Sequence, residues 1–161
     1  MKVLNITFLF FFISLGYLLS GCSSEESNGV GENRKGILLD PLDNSFSFDT
    51  LQKVIANKQR ITANPNDVWA YYNLGNLYKG INADEKAINK LQKVIEIQPN
   101  NAVAHYILVR IYSIQNNPDQ AIKYLQEAVK LDQDLIEFSK RDSELDSIRQ
   151  TLEFQKLINS K

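Results

Sequence analysis

Cys22 and His105 are the only cysteine and the only histidine in a chain of 161 residues. A thiol can act as nucleophile, metal ligand or acylation site, and an imidazole can move protons or bind metal. With one of each, no intrachain disulfide, thiolate cluster or histidine-based metal site can be assembled. His105 also falls on a helical packing position, where a buried ring is the ordinary outcome. Asp142, Glu144 and Asp146 bring three carboxylates close together, the raw material of acid/base chemistry. On a short polar helix such acids are far more often surface charge or caps. No glycine-rich phosphate loop is present, so no catalytic residue, metal site or cofactor is expected, and no small-molecule substrate. Eighteen basic residues against 19 acidic ones leave a formal charge of -1. That balance gives a phosphate backbone no electrostatic attraction, and no nucleic-acid partner is expected.

Cys22 alone sits in a context that implies chemistry. Lys2 is followed by an almost wholly apolar run from Ile6 to Leu19. That run has the length of a signal-peptide core and is too short to span a bilayer comfortably. Leu19-Ser20-Gly21-Cys22 then resembles the lipobox of bacterial lipoproteins. The resemblance implies cleavage after Gly21, diacylglycerol on the Cys22 sulfur and a membrane held through two or three acyl chains. Each buried methylene contributes about 0.8 kcal/mol, so several chains make a firm anchor. Export would place the protein in the cell envelope. Ser23 favours the outer membrane, facing the periplasm, in a diderm bacterium, and the cell surface is expected otherwise. Ser23 to Asn33 is polar and aperiodic, a flexible tether by composition, and Ile37-Leu38-Leu39 forms a short apolar patch after it.

The remainder must be built from helices. Val68, Tyr71, Leu74, Gly75 and Tyr78 recur at three- and four-residue spacing, as do Ala87, Ile88, Leu91, Val94 and Ile95. Each set forms one apolar stripe on a helix. Leu74 and Leu108, Tyr78 and Tyr112, Ala87 and Ala121, Leu91 and Leu125, and Pro65 and Pro99 are all 34 residues apart. This period and these residues resemble the tetratricopeptide repeat. The first copy reads Tyr71-x-x-Leu74-Gly75-x-x-Tyr78 and then Ala87-x-x-x-Leu91. The second reads His105-x-x-Leu108-Val109-x-x-Tyr112 and then Ala121-x-x-x-Leu125. It departs from the pattern at His105, Val109 and Gln133, which replace an aromatic, a small residue and a proline.

Small residues at Gly75 and Ala87 suit a close crossing of antiparallel helices. Asn82 and Asp84 are expected to cap the second helix of the first pair, and Asn117 with Pro118 that of the second pair. Two pairs alone leave apolar faces open at both ends. A helix over about 49–62 and short closing helices around Leu145, Ile148, Phe154 and Leu157 are expected to cover them. The predicted architecture is therefore all-α: a tetratricopeptide-type solenoid of antiparallel helix pairs with capping helices at both ends. Its divisions are a lipoprotein signal peptide at 1–21, a lipidated tether at 22–47 and a helical domain at 48–161. The full repeats fall at about 68–101 and 102–135, and the C-terminal cap at 136–159.

The resemblance implies a concave groove lined by the first helix of each pair. Its positions here are Trp69, Tyr72, Asn76 and Lys79, then Val103, Tyr106, Arg110 and Ser113. Trp69, Tyr72 and Tyr106 are also large aromatics off the packing stripe, a type enriched at binding hot spots. Arg110 can pair with a carboxylate of a peptide ligand. The carboxylate clamp of chaperone-binding members is not expected, because Tyr72, Val103 and Ile107 occupy several of its positions. The expected function is a membrane-anchored scaffold or adaptor that binds a protein or peptide partner. The alternative is a structural subunit of an envelope assembly machine, of the pilus or outer-membrane biogenesis type, that uses surfaces other than the groove.

Overall fold

The computed structural model describes Pro41, Asp43 and residues 46–159. The expected signal peptide at 1–21, the expected lipidation site Cys22, and the Ile37-Leu38-Leu39 patch lie outside the described residues. Among the described residues there are seven α-helices and no strand. They are α1 Phe48–Ala63, α2 Val68–Lys79, α3 Asp84–Ile97, α4 Ala102–Ile114, α5 Pro118–Leu131, α6 Asp134–Ser139 and α7 Leu152–Asn159. A single 3-10 turn, Ser143–Leu145, lies between α6 and α7. Helices α2 and α3 form the first pair and α4 and α5 the second. Helix α1 packs on α2, and the segment after α5 closes the other end.

Several helix starts are written locally. Asp67 and Asn101, one period apart, accept hydrogen bonds from the Ala70 and Ala104 amides at 3.0 and 2.9 Å. Each satisfies a donor that the first helical turn leaves unpaired. Asn117 caps α5 by accepting from the Gln120 amide, with Pro118 opening the helix where no N–H is needed. The expected caps of α3 are corrected. Its N-cap residue is Ala83, with no side-chain hydrogen bond, and Asp84 is already inside the helix. Asn82 instead closes α2. It adopts a left-handed φ of 57°, its N–H reaches the Lys79 carbonyl and the Ala83 N–H reaches that of Tyr78. Asn116, with φ 53°, repeats the geometry after α4, bonding to Ser113 while Asn117 bonds to Tyr112. Two bonds of this span satisfy the carbonyls stranded at a helix end, and asparagine tolerates the left-handed residue they require.

The stripes meet as the spacing requires. Leu74, Tyr78, Ala87, Leu91, Val94, Leu108 and Ile111 are buried in one cluster, and Val109, Ala121, Leu125 and Ala128 in a second. Tyr112 and Tyr124 stack at 5.5 Å and touch both, so the interior is continuous. Gly75 sits where α2 crosses α3. A Cβ placed there would lie 2.9 Å from Leu91 Cγ and 3.6 Å from the Ala87 carbonyl. Glycine inside a helix costs roughly 0.5–1 kcal/mol relative to alanine, and the close approach explains why that cost is accepted. Gly75→Val should lower stability by about 2–3 kcal/mol through overpacking against Leu91, measured as a fall in the urea midpoint. An unchanged midpoint would mean the crossing is looser than these distances.

The ends are more elaborate than the repeat pattern suggested. Helix α1 buries Val54 and Asn57, and Asn73 Nδ2 donates to Asn57 Oδ1 at 3.2 Å, tying α2 to its cap. Asp43 and Phe46 fall in the segment assigned to the tether, yet both are buried. Phe46 packs on Tyr78 at 5.8 Å between ring centres. Asp43 accepts from the Tyr78 hydroxyl at 2.9 Å and pairs with Lys58 at 2.5 Å. A fully buried carboxylate is tolerable only with such partners.

Candidate protein-binding groove

The first helices of the two pairs, α2 and α4, carry the groove positions, and the structure divides them into two groups. Trp69 and Val103, each in the first turn of its helix, are 66% and 51% exposed. Trp69 meets Tyr72 edge to face at 5.8 Å. With Val68, Gln98 and Asn101 these three line a concave site of about 300 Å³, open to solvent on one side. Its walls are apolar, and its polar lining is two neutral amides, with Asn101 Nδ2 donating to Gln98 Oε1 at 3.1 Å. Asn76, one turn beyond Tyr72, is partly buried and donates to the Tyr72 carbonyl at 3.1 Å.

The second group is not open. Tyr106 is only 4% exposed; its hydroxyl donates to Asp142 Oδ2 at 3.0 Å, and its ring meets Phe138 of α6 at 5.4 Å. The expectation of Tyr106 as an exposed anchor is corrected: the chain's own closing segment covers it. Arg110 does find a carboxylate, but an internal one. Its Nε donates to Asp142 Oδ2 at 2.7 Å and lies 3.0 Å from Glu144 Oε2. That second contact is an ion pair and not a hydrogen bond, since Oε2 of Glu144 has no hydrogen-bond partner. The guanidinium also lies over the rings of Tyr106 and Phe138, at 5.7 and 5.8 Å. Lys79 pairs with Glu144 Oε1 at 2.6 Å. Ser113 is buried and shares hydrogen bonds with Ser147.

The three acidic residues of the closing segment thus have structural work. Asp142 caps the 3-10 turn by accepting from the Glu144 amide at 3.1 Å, and Asp146 pairs with Arg149. Arg149 in turn donates to the carbonyls of Lys140 and Asp142. Burial would raise the Asp142 carboxyl, but Arg110, the Glu144 amide and the Tyr106 hydroxyl outweigh it and hold its pKa below the ordinary value. Burial, then the Asp142 charge, drives the Tyr106 phenol up. Burial disfavours the Arg110 charge, yet its bond to Asp142 and the charges of Asp142 and Glu144 raise its pKa.

His105 is a packed ring. It is 7% exposed, its Nε2 lies 3.1 Å from the Pro99 carbonyl, and it tilts against Tyr124. No group of three or more potential metal ligands occurs among the described residues. The sequence reading missed Asp142, Glu144 and Phe138 as parts of the groove face. Their only signal was an acidic cluster beside weakly periodic apolar residues, and it did not say what they would touch.

No curated protein matches the chain. The tetratricopeptide repeat family matches residues 85–140, which run from the start of α3 through α5 to the end of α6. That match, with the two helix pairs one period apart and joined by a continuous core, shows that the chain carries a tetratricopeptide-repeat domain, a module for protein–protein interaction.

Proposed function

We propose that this protein is a membrane-anchored adaptor of a bacterial envelope, lipidated at Cys22, that captures a protein or peptide segment in the groove of its repeat domain. The observation that carries the groove reading is the exposure of Trp69 beside Tyr72 and Val103 in a concave apolar site. A tryptophan left two-thirds exposed contributes little to folding, and aromatic anchors of this kind dominate binding energy at interfaces. Tyr72 and Asn76 support it from the same helix. Tyr106 and Arg110 are engaged by the closing segment and are not among the residues lining that site. The anchor reading is supported by the lipobox-like Leu19-Ser20-Gly21-Cys22 after an apolar run, and it places the domain at the membrane surface, the outer membrane in a diderm cell.

One experiment addresses both parts. Cells producing wild type, Cys22→Ser or Trp69→Ala with Val103→Ser are labelled with a palmitate analogue, crosslinked and fractionated. Cys22→Ser should lose the label and leave the membrane fraction. The groove variant should keep the label and its helical spectrum but lose crosslinked partner by about 30-fold or more, as expected for hot-spot removal near 2 kcal/mol. Label retained by Cys22→Ser overturns the anchor, and crosslinks undiminished in the groove variant overturn the groove.

A further inference from the structure

We infer that the groove accepts an uncharged segment with a large aliphatic or aromatic anchor and discriminates against acidic chains, because the protein has neutralised its own groove cations. This rests on the groove reading above and specifies the partner's chemistry. Lys79 and Arg110 are the basic residues among the groove positions, and both are engaged. Glu144 bonds Lys79 at 2.6 Å and faces Arg110 at 3.0 Å, while Asp142 bonds Arg110 at 2.7 Å. Two cations meet two carboxylates, so no net positive charge remains to attract a third.

The position of this cluster matters. Arg110 lies two helical turns beyond Val103 on α4, about 10 Å at 1.5 Å per residue. An extended segment anchored beside Trp69 therefore reaches the cluster within a few residues. An acidic side chain arriving there would meet Asp142 and Glu144 at close range and shed water for no net counter-charge, a combination that disfavours binding. At the anchor end, the site beside Trp69 offers apolar walls and two neutral amides. Its volume of about 300 Å³ is at the small end of ligand sites, room for one large side chain and adjoining backbone. A carboxylate buried there would have no ion-pair partner among the lining residues. Discrimination by an absent attraction plus a built-in repulsion is a standard route to specificity.

The probe is a random-peptide display library selected on the intact protein, with the Trp69→Ala, Val103→Ser variant as the control surface. Trp69 is the only tryptophan in the chain, so its fluorescence reports binding of each recovered peptide directly. Recovered peptides should be enriched in Phe, Leu, Ile or Trp and depleted of Asp and Glu. Their affinities should change less than about twofold between low and high salt, since screening acts only on charge attraction. In Asp142→Asn with Glu144→Gln the caps and acceptors persist but the cations are released. Acidic peptides should then gain about tenfold at low salt. Selection of acidic, salt-sensitive peptides by the wild type would overturn this inference while leaving the groove reading intact. The absence of any acidic gain in the double variant would overturn it as well. Equal recovery on the control surface would sink the groove reading itself.

Discussion

Phe154→Ala should cost about 3–5 kcal/mol, the usual loss for removing a buried aromatic from a packed interior. Phe154 is fully buried on α7 and joins Leu145, Ile148, Val109 and Leu125 in the second core cluster. Most small domains have only about 5–15 kcal/mol of stability in total, so the second pair is expected to lose its lid. In a stack of this kind each pair leans only on its neighbours. The first pair, braced by α1, should therefore hold out longer. Thermal unfolding should begin about 10–20 °C earlier, and hydrogen exchange should show α4 and α5 opening before α2 and α3. A single transition shifted by a degree or two would mean that α7 is an appendage and not part of the core.

Asp142→Ala should be nearly as damaging, at about 3 kcal/mol, through loss of polar contacts instead of apolar volume. It strips the cap from the 3-10 turn and leaves the buried Tyr106 hydroxyl and much of the Arg110 charge without their partner. An unpaired buried donor costs about 1–3 kcal/mol and a broken buried ion pair about 3–5 kcal/mol; Arg110 is about one-third exposed, which places the sum toward the lower values. Asp142→Asn retains an acceptor for cap and hydroxyl and should lose about half as much. The same carboxylate makes stability depend on pH. Its folded pKa is depressed below the ordinary 3.8, so its contribution is complete above roughly pH 5 and is lost as pH falls through the folded value. Urea midpoints measured from pH 5 down to about pH 2.5 should fall more steeply for wild type than for Asp142→Asn. Parallel curves would show that the carboxylate is not ionised in the fold.

Both effects arise at the closing segment, where the sequence was hardest to read. The two helix pairs were legible because their information is local and repeated. Stripes at three- and four-residue spacing identify each helix, and identical offsets in the two copies identify the pairing. The caps at Asn117 and Pro118 were legible for the same reason. Asn82 was misassigned because an asparagine between two helices can serve either neighbour. Its left-handed backbone and the bonds to Tyr78 and Lys79 settle it as the end of α2. Of the groove positions that the resemblance implied, Trp69 and Tyr72 line a concave site and Asn76 lies one turn beyond. Tyr106 and Arg110 meet the closing segment instead, which the sequence did not reveal.

What the amino-acid order determined alone is every helix that buries a periodic stripe and the repeat that sets one pair against the next. What only the tertiary structure decided is which face of that stack stays open. Asp142 meets Tyr106 and Arg110 across 36 and 32 positions of chain, and Asp43 meets Tyr78 across 35. Such contacts join irregular segments to regular ones, so they leave no period to detect. They form because a stack of helix pairs presents oily ends and half-buried charges that some part of the same chain must cover.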